Sequence, residues 1–218
     1  MYEDKQARRM TRRDFLSLSS SLVAYAATMG PLAGLCRCES EPASEKPNII
    51  VIYTDDQGYS DVGFTGVRDD IPTPNMDSIA ANGVRFTDGY VTCPVCSPSR
   101  AALLTGRYQN RFGHEYNASP ELRALRNEYG LPTDEITMAD QLKQCGYTTS
   151  AIGKWHLGPG KRFHPHKRGF DHFFGFQGGM HSYFGSYDQW YDFLNPLVDG
   201  TKVVEDEQYL TDAFAREA

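Results

Sequence analysis

The chain has 218 residues, with 22 Lys and Arg against 28 Asp and Glu, a formal charge of -6 and five cysteines. That acidic balance excludes the basic face of a nucleic-acid binder, and so few cysteines exclude a disulfide framework. With the dissimilar N-terminal stretch set aside, about 170 residues remain, enough to bury one core.

At the front, Lys5, Arg8, Arg9, Arg12 and Arg13 precede an uncharged run from Phe15 to Cys36 that is rich in Ser and Ala, the order of an export signal. Thr11-Arg12-Arg13-Asp14-Phe15-Leu16 matches the twin-arginine pattern. Residues 1–36 are therefore expected to be a twin-arginine-type signal, 37–47 a linker and 48–218 the folded domain. This predicts a bacterial protein, periplasmic or secreted, with the export machinery as a partner. A membrane anchor is the alternative, because 22 uncharged residues just span a bilayer.

Pro47-Asn48-Ile49-Ile50-Val51-Ile52-Tyr53 is a short, β-branched apolar run, the pattern of a fully buried parallel strand. It leads into Asp55 and Asp56, and Gly58 marks a loop. Two adjacent acids share a ligand only where a strand gives way to a loop, and in open α/β sheets ligands bind beyond the carboxyl ends of strands. The residues alone equally allow a solvated turn with one acid capping a backbone N–H.

In Cys96-Ser97-Pro98-Ser99-Arg100, Pro98 suits the first helical position, Ser97 a cap, and the run to Thr105 is helix-prone, with Gly106 as the stop. Cys96 thus stands at a helix N-terminus, a ready anion site, with Arg100 one turn on along the same face. Taken singly, Cys96 reads equally as a buried small hydrophobe, and Cys93-Pro94-Val95-Cys96 has the spacing of a redox or zinc pair. His114 follows this helix closely and is expected to line a pocket there, with ordinary packing as the alternative.

Thr137 and Asp140 form a capping box for a helix over Ile136 to Cys145, with Gly146 as its stop. Tyr147 to Ile152 then reads as a strand. It delivers Lys154 and His156, two residues apart and able to point the same way. A solvated Lys-x-His pair is the plain alternative. Ten aromatic residues crowd Phe170 to Phe193, a pattern of core packing before that of a substrate-stacking wall. Asp206 to Ala218 reads as the start of an amphipathic helix.

Cys96-Ser97-Pro98-Ser99-Arg100 with Leu104-Thr105-Gly106-Arg107 resembles the signature of the type I, formylglycine-dependent sulfatases, a family that includes arylsulfatases and N-acetylgalactosamine-6-sulfatases. Asp55-Asp56 and Gly153-Lys154-Trp155-His156-Leu157-Gly158 match two further family strings. The resemblance implies an α/β, alkaline-phosphatase-like sandwich with a mostly parallel central sheet. It implies a sulfuric-ester hydrolase acting on an aryl or carbohydrate sulfate. Cys96 is expected to be converted to formylglycine by a formylglycine-generating enzyme. Its hydrated aldehyde would be the nucleophile. Asp55, Asp56 and the modified Cys96 would hold a divalent metal, calcium first and magnesium second, as oxygen donors suit hard cations. Arg100 would steady the diol, Lys154 and His156 would contact the sulfate, and His156 would take a proton.

The resemblance covers the N-terminal portion of the family domain. No string after Lys154 matches the Asp-Asn pair, later lysine or later histidine of the second half, and His181 lies too early for that histidine. The fold is therefore expected to be incomplete at its C-terminus. Two readings compete with an active sulfatase: a truncated, catalytically incompetent fragment, and a phosphoesterase of the same superfamily.

Overall fold

The structure is a computed structural model that describes residues 46–68, 70–118, 129–184 and 195–218. The expected signal and most of the linker lie outside these residues. The chain divides into two compact units, 1–53 and 54–218.

In the first unit, residues 46–53 form no strand. Ile50 is 83% exposed and Ile52 73%. The expected buried strand at 47–53 is therefore corrected. A β-branched run becomes a strand only where neighbouring chains take up its N–H and C=O groups, and sequence pattern does not supply the neighbour.

Among the described residues, the second unit is built on one four-stranded sheet: β1 (Ser150–Lys154), β2 (His172–Phe176), β3 (Val198–Asp199) and β4 (Lys202–Val203), in that spatial order. β1 and β2 are parallel, with Ser150 opposite His172 and Lys154 opposite Phe176, while β2–β3 and β3–β4 are antiparallel. Gly175 lies opposite Gly153, where a Cβ would stand 2.0 Å from the Gly153 carbonyl oxygen, so only glycine permits that approach.

Four α-helices accompany the sheet among the described residues: α1 (Pro74–Asn82), α2 (Cys96–Thr105), α3 (Met138–Gln144) and α4 (Leu210–Glu217). Strand alternation sends β2 side chains to two faces. Phe173 joins Ala101, Leu131, Trp155, Leu157 and Val198 on one side. Phe174 and Phe176 meet Leu197, Leu210 and Ala213 on the other. The sheet is thus sealed by α2 on one face and α4 on the other. Part of the aromatic stretch serves this core, as Phe173, Phe174 and Phe176 are all at most 5% exposed, whereas Tyr183 and Phe184 are exposed. Tyr187, Trp190, Tyr191 and Phe193 lie outside the described residues.

α3 starts as its sequence requires. Thr137 Oγ1 accepts from the Asp140 N–H, and the Asp140 carboxylate accepts from the Thr137 N–H at 2.9 Å. Thr137 Oγ1 also donates to the Arg168 carbonyl, which ties α3 to the crossover between β1 and β2. Arg168, 2% exposed, in turn donates to the carbonyls of Pro132 and Glu135. No helix among the described residues is long and apolar enough to cross a membrane.

Candidate active site

Helix α2 starts at Cys96, not Pro98, with Val95 as an extended N-cap that offers no side-chain acceptor. Asn117 supplies the acceptor instead: its Oδ1 receives the Ser97 N–H at 3.2 Å and the Cys96 S–H at 3.6 Å. The expectation that Ser97 caps the helix is corrected. Its side chain is wholly buried and turned inward, donating to the His156 carbonyl at 2.6 Å and meeting His114 Nε2 at 2.7 Å. Gly106 ends the helix in a left-handed conformation, φ 64°, as expected.

Arg100, one turn beyond Cys96, reaches across to the end of β1. Its Nη1 donates to the Lys154 carbonyl at 2.7 Å, and its Nη2 lies 3.3 Å from Asp55 Oδ2. Lys154 Nζ contacts the same oxygen at 2.6 Å. Two cations far apart in sequence therefore share one carboxylate. Burial alone would raise the Asp55 pKa, but hydrogen bonding and attraction from Lys154, with Arg100, outweigh it and hold it below the usual value. The second signature arginine, Arg107, is engaged elsewhere, as it pairs with Glu135 at 2.6 Å, away from this carboxylate.

Among the described residues, only Asp56 and His156 combine a side chain with a positive φ, at 56° and 57°. Such backbones cost about 1 kcal/mol or more and persist where the surroundings over-determine them. Both are site residues read from the sequence. The ladder continues past β1: the Trp155 N–H donates to Phe176 O and the His156 N–H to Gln177 O. The left-handed turn at His156 then directs its imidazole to the interior, where it is 4% exposed and its Nδ1 has no hydrogen-bond partner among the described residues. Gly179 backs the ring so closely that a Cβ there would lie 2.7 Å from it. Burial, with the Lys154 and Arg100 charges, lowers the His156 pKa to about 3, so the imidazole is neutral.

His114 does not face an open pocket. Its ring is 1% exposed, stacked on Tyr129 at 5.1 Å between centroids and engaged with Ser97. The expected contact with substrate gives way to a place behind the site. Cys96 is partly exposed at the mouth of α2, as an accessible nucleophile must be. Asp55 and Asp56 are oxygen donors of the kind a hard cation takes, but no group of three His, Cys, Asp or Glu side chains converges among the described residues. The donor type fits calcium. The donor number supplies part of its shell.

One residue that the sequence did not single out emerges here, and one that it did takes another role. Asn117 touches both Cys96 and the helix end, and Ser97 joins α2 to His156. No spacing rule marks Asn117, because its partners lie 20 and 21 residues away.

Comparisons with known proteins place the chain in a family. A family profile described as Sulfatase matches residues 47–218. Arylsulfatase G of Canis lupus familiaris is 41% identical over 163 residues, covering 74% of this chain and 29% of that protein. N-acetylgalactosamine-6-sulfatase of Mus musculus is 42% identical over 153 residues, covering 67% of this chain and 28% of that protein. A solved structure titled "Crystal structure of Ps i-CgsB" superposes with a TM-score of 0.70 at 43% identity, covering 79% of this chain and 40% of that one. The chain thus spans under a third of the length of these curated relatives. The alkaline-phosphatase-like α/β fold read from the sequence is shared with such neighbours. The chain belongs to the sulfatase family.

Proposed function

We propose that this chain hydrolyses a sulfate monoester, aryl or carbohydrate, with Cys96 as the residue converted to formylglycine. The observation that carries this reading is the shared carboxylate: Lys154 and Arg100 converge on Asp55 at 2.6 and 3.3 Å, and the same Arg100 belongs to the helix that begins at Cys96. Two cations beside a helix N-terminus are what an anionic ester needs.

Each side chain has a role that follows from its position. Lys154 and Arg100 neutralise sulfate oxygens, with Asp55 holding both cations in place before substrate arrives. Asn117 accepts from the first turn of α2 and fixes the side chain at position 96 relative to the helix mouth. His156 starts neutral, as a proton acceptor must. A bound sulfate offsets the cationic field that lowers its pKa, so its basicity rises when the ester is in place. Formylglycine at Cys96 would supply the attacking hydroxyl. A calcium ion held by Asp55, Asp56 and the modified residue at position 96, with further oxygen donors, would ease ionisation of that hydroxyl.

N-acetylgalactosamine-6-sulfatase among the relatives supports a carbohydrate sulfate as substrate. The twin-arginine pattern at Arg12 and Arg13 supports export to the periplasm or beyond. Because that route carries folded proteins, a cytoplasmic formylglycine-generating enzyme would act first. Unmodified Cys96 in exported protein would count against this order.

A second reading, that this chain does not turn over, is favoured by the donor set among the described residues, where no three His, Cys, Asp or Glu side chains converge. Hydrolysis of an aryl sulfate, with and without calcium, separates the two. Turnover that depends on calcium and falls in Asp55→Asn supports the enzyme, and a converted protein that binds sulfate without turnover supports the second reading.

A further inference from the structure

We propose that His114 is a positioning residue, which acts through Ser97 to hold His156 in its left-handed backbone and so aims the His156 imidazole. The role assigned to His156 rests on the sulfatase reading, whereas the geometry of the relay does not.

The argument is one of proton counting. Ser97 Oγ lies 2.6 Å from the His156 carbonyl oxygen, a separation that two oxygens keep only with a proton between them. A carbonyl has none to give, so the single Ser97 proton points to it. His114 Nε2, 2.7 Å from the same Oγ, must then carry its own hydrogen and donate it. A bare nitrogen there would set lone pair against lone pair. The relay therefore runs from His114 Nε2–H to Ser97 Oγ–H to the His156 carbonyl, and it requires one tautomer of His114. Burial supports a neutral ring, since it pushes the His114 pKa down and outweighs a backbone hydrogen bond with Gly130 that acts the other way.

Each link is enclosed. Ser97 is 0%, His114 1% and His156 4% exposed, so no water competes for these bonds. The effect falls on one residue. The His156 N–H is held by Gln177 O, its carbonyl by Ser97 and its ring by Gly179, which leaves the imidazole one direction. Without Ser97 the carbonyl is released, and a φ of 57° loses the contact that opposes its relaxation.

The test uses the full chain with 15N-labelled histidine. Nitrogen NMR is expected to show His114 protonated at Nε2 and bare at Nδ1, with further protonation displaced below the ordinary histidine value. Ser97→Ala and His114→Phe should shift the His156 ring signals while circular dichroism keeps the helix content. His114→Gln, whose amide can donate in place of Nε2–H, should restore them. Should His114→Phe fail to fold, Ser97→Ala and His114→Gln carry the same comparison. A His114 protonated at Nδ1, or His156 signals unmoved by Ser97→Ala, overturns the proposal. Where aryl sulfate is turned over, Ser97→Ala is expected to lower kcat by about a hundredfold with KM nearly unchanged, as for a misplaced catalytic group. The NMR outcomes need no turnover, so an inert chain would count against the sulfatase reading and leave the relay standing.

Discussion

The depressed pKa of His156 makes the stability of this protein depend on pH in a way that one side chain controls. Its folded value of about 3 stands against an ordinary 6.5, and burial comes first among the causes, followed by Lys154 and Arg100, with Asp55 opposing and His114 adding slightly. The unfolded chain takes up a proton on this histidine below the ordinary value, and the folded chain does not until about 3. More protons on the unfolded state means that stability is full above 6.5 and is lost progressively as pH falls towards about 3. At about 1.4 kcal/mol per pH unit, the interval corresponds to an upper limit of roughly 4 to 5 kcal/mol, of which about 2 kcal/mol is lost by roughly pH 5. That is a large share of the roughly 5 to 15 kcal/mol available to a domain. Urea unfolding of the wild type and of His156→Gln across this range measures the difference. His114 and His164 are shifted in the same direction and are present in both proteins, so their contributions cancel. The wild type should fall more steeply than the variant, by about 2 kcal/mol at roughly pH 5. Parallel curves, or a His156 that titrates at its ordinary value, would refute the reasoning.

Other perturbations follow from the same contacts. Gly175→Ala places a Cβ 2.0 Å from the Gly153 carbonyl oxygen, so the β1–β2 pairing must open, with a loss of about 3 kcal/mol or more in chemical denaturation. Asn117→Ala removes the acceptor at the mouth of α2 and should cost about 1 kcal/mol by the same measurement, together with altered Cys96 alkylation rates. Lys154→Gln leaves Arg100 alone to answer the Asp55 carboxylate. Sulfate affinity by calorimetry should fall about tenfold or more, in line with loss of a charge-assisted bond. An unchanged affinity would remove Lys154 from the sulfate site.

Much of the fold is legible where local chemistry decides. The Thr137–Asp140 box starts α3, Gly106 stops α2, and β1 delivers Lys154 and His156 at its end. The site is legible because its parts stand in compact strings: Cys96 to Arg100, Asp55–Asp56 and Gly153 to Gly158. What stays hidden depends on partners distant in sequence. Residues 47–53 have a strand's pattern but form no strand, since pairing is a property of neighbours. Ser97 resembles a cap because serine favours caps, yet a buried carbonyl at His156 offers it a better acceptor. His114 follows the signature helix, which suggests a place near the substrate. The structure puts it nearby but behind the wall, a distinction of side-chain direction that spacing does not carry.

The central claim is that Cys96 becomes the group that attacks a sulfate ester. Its most direct test is aryl sulfate turnover by the chain coproduced with a formylglycine-generating enzyme, with conversion at position 96 followed by mass spectrometry of the tryptic peptide. Turnover in proportion to the converted fraction, abolished in Cys96→Ala, is the predicted result. Turnover that persists in Cys96→Ala, or none from fully converted protein supplied with calcium, would contradict it.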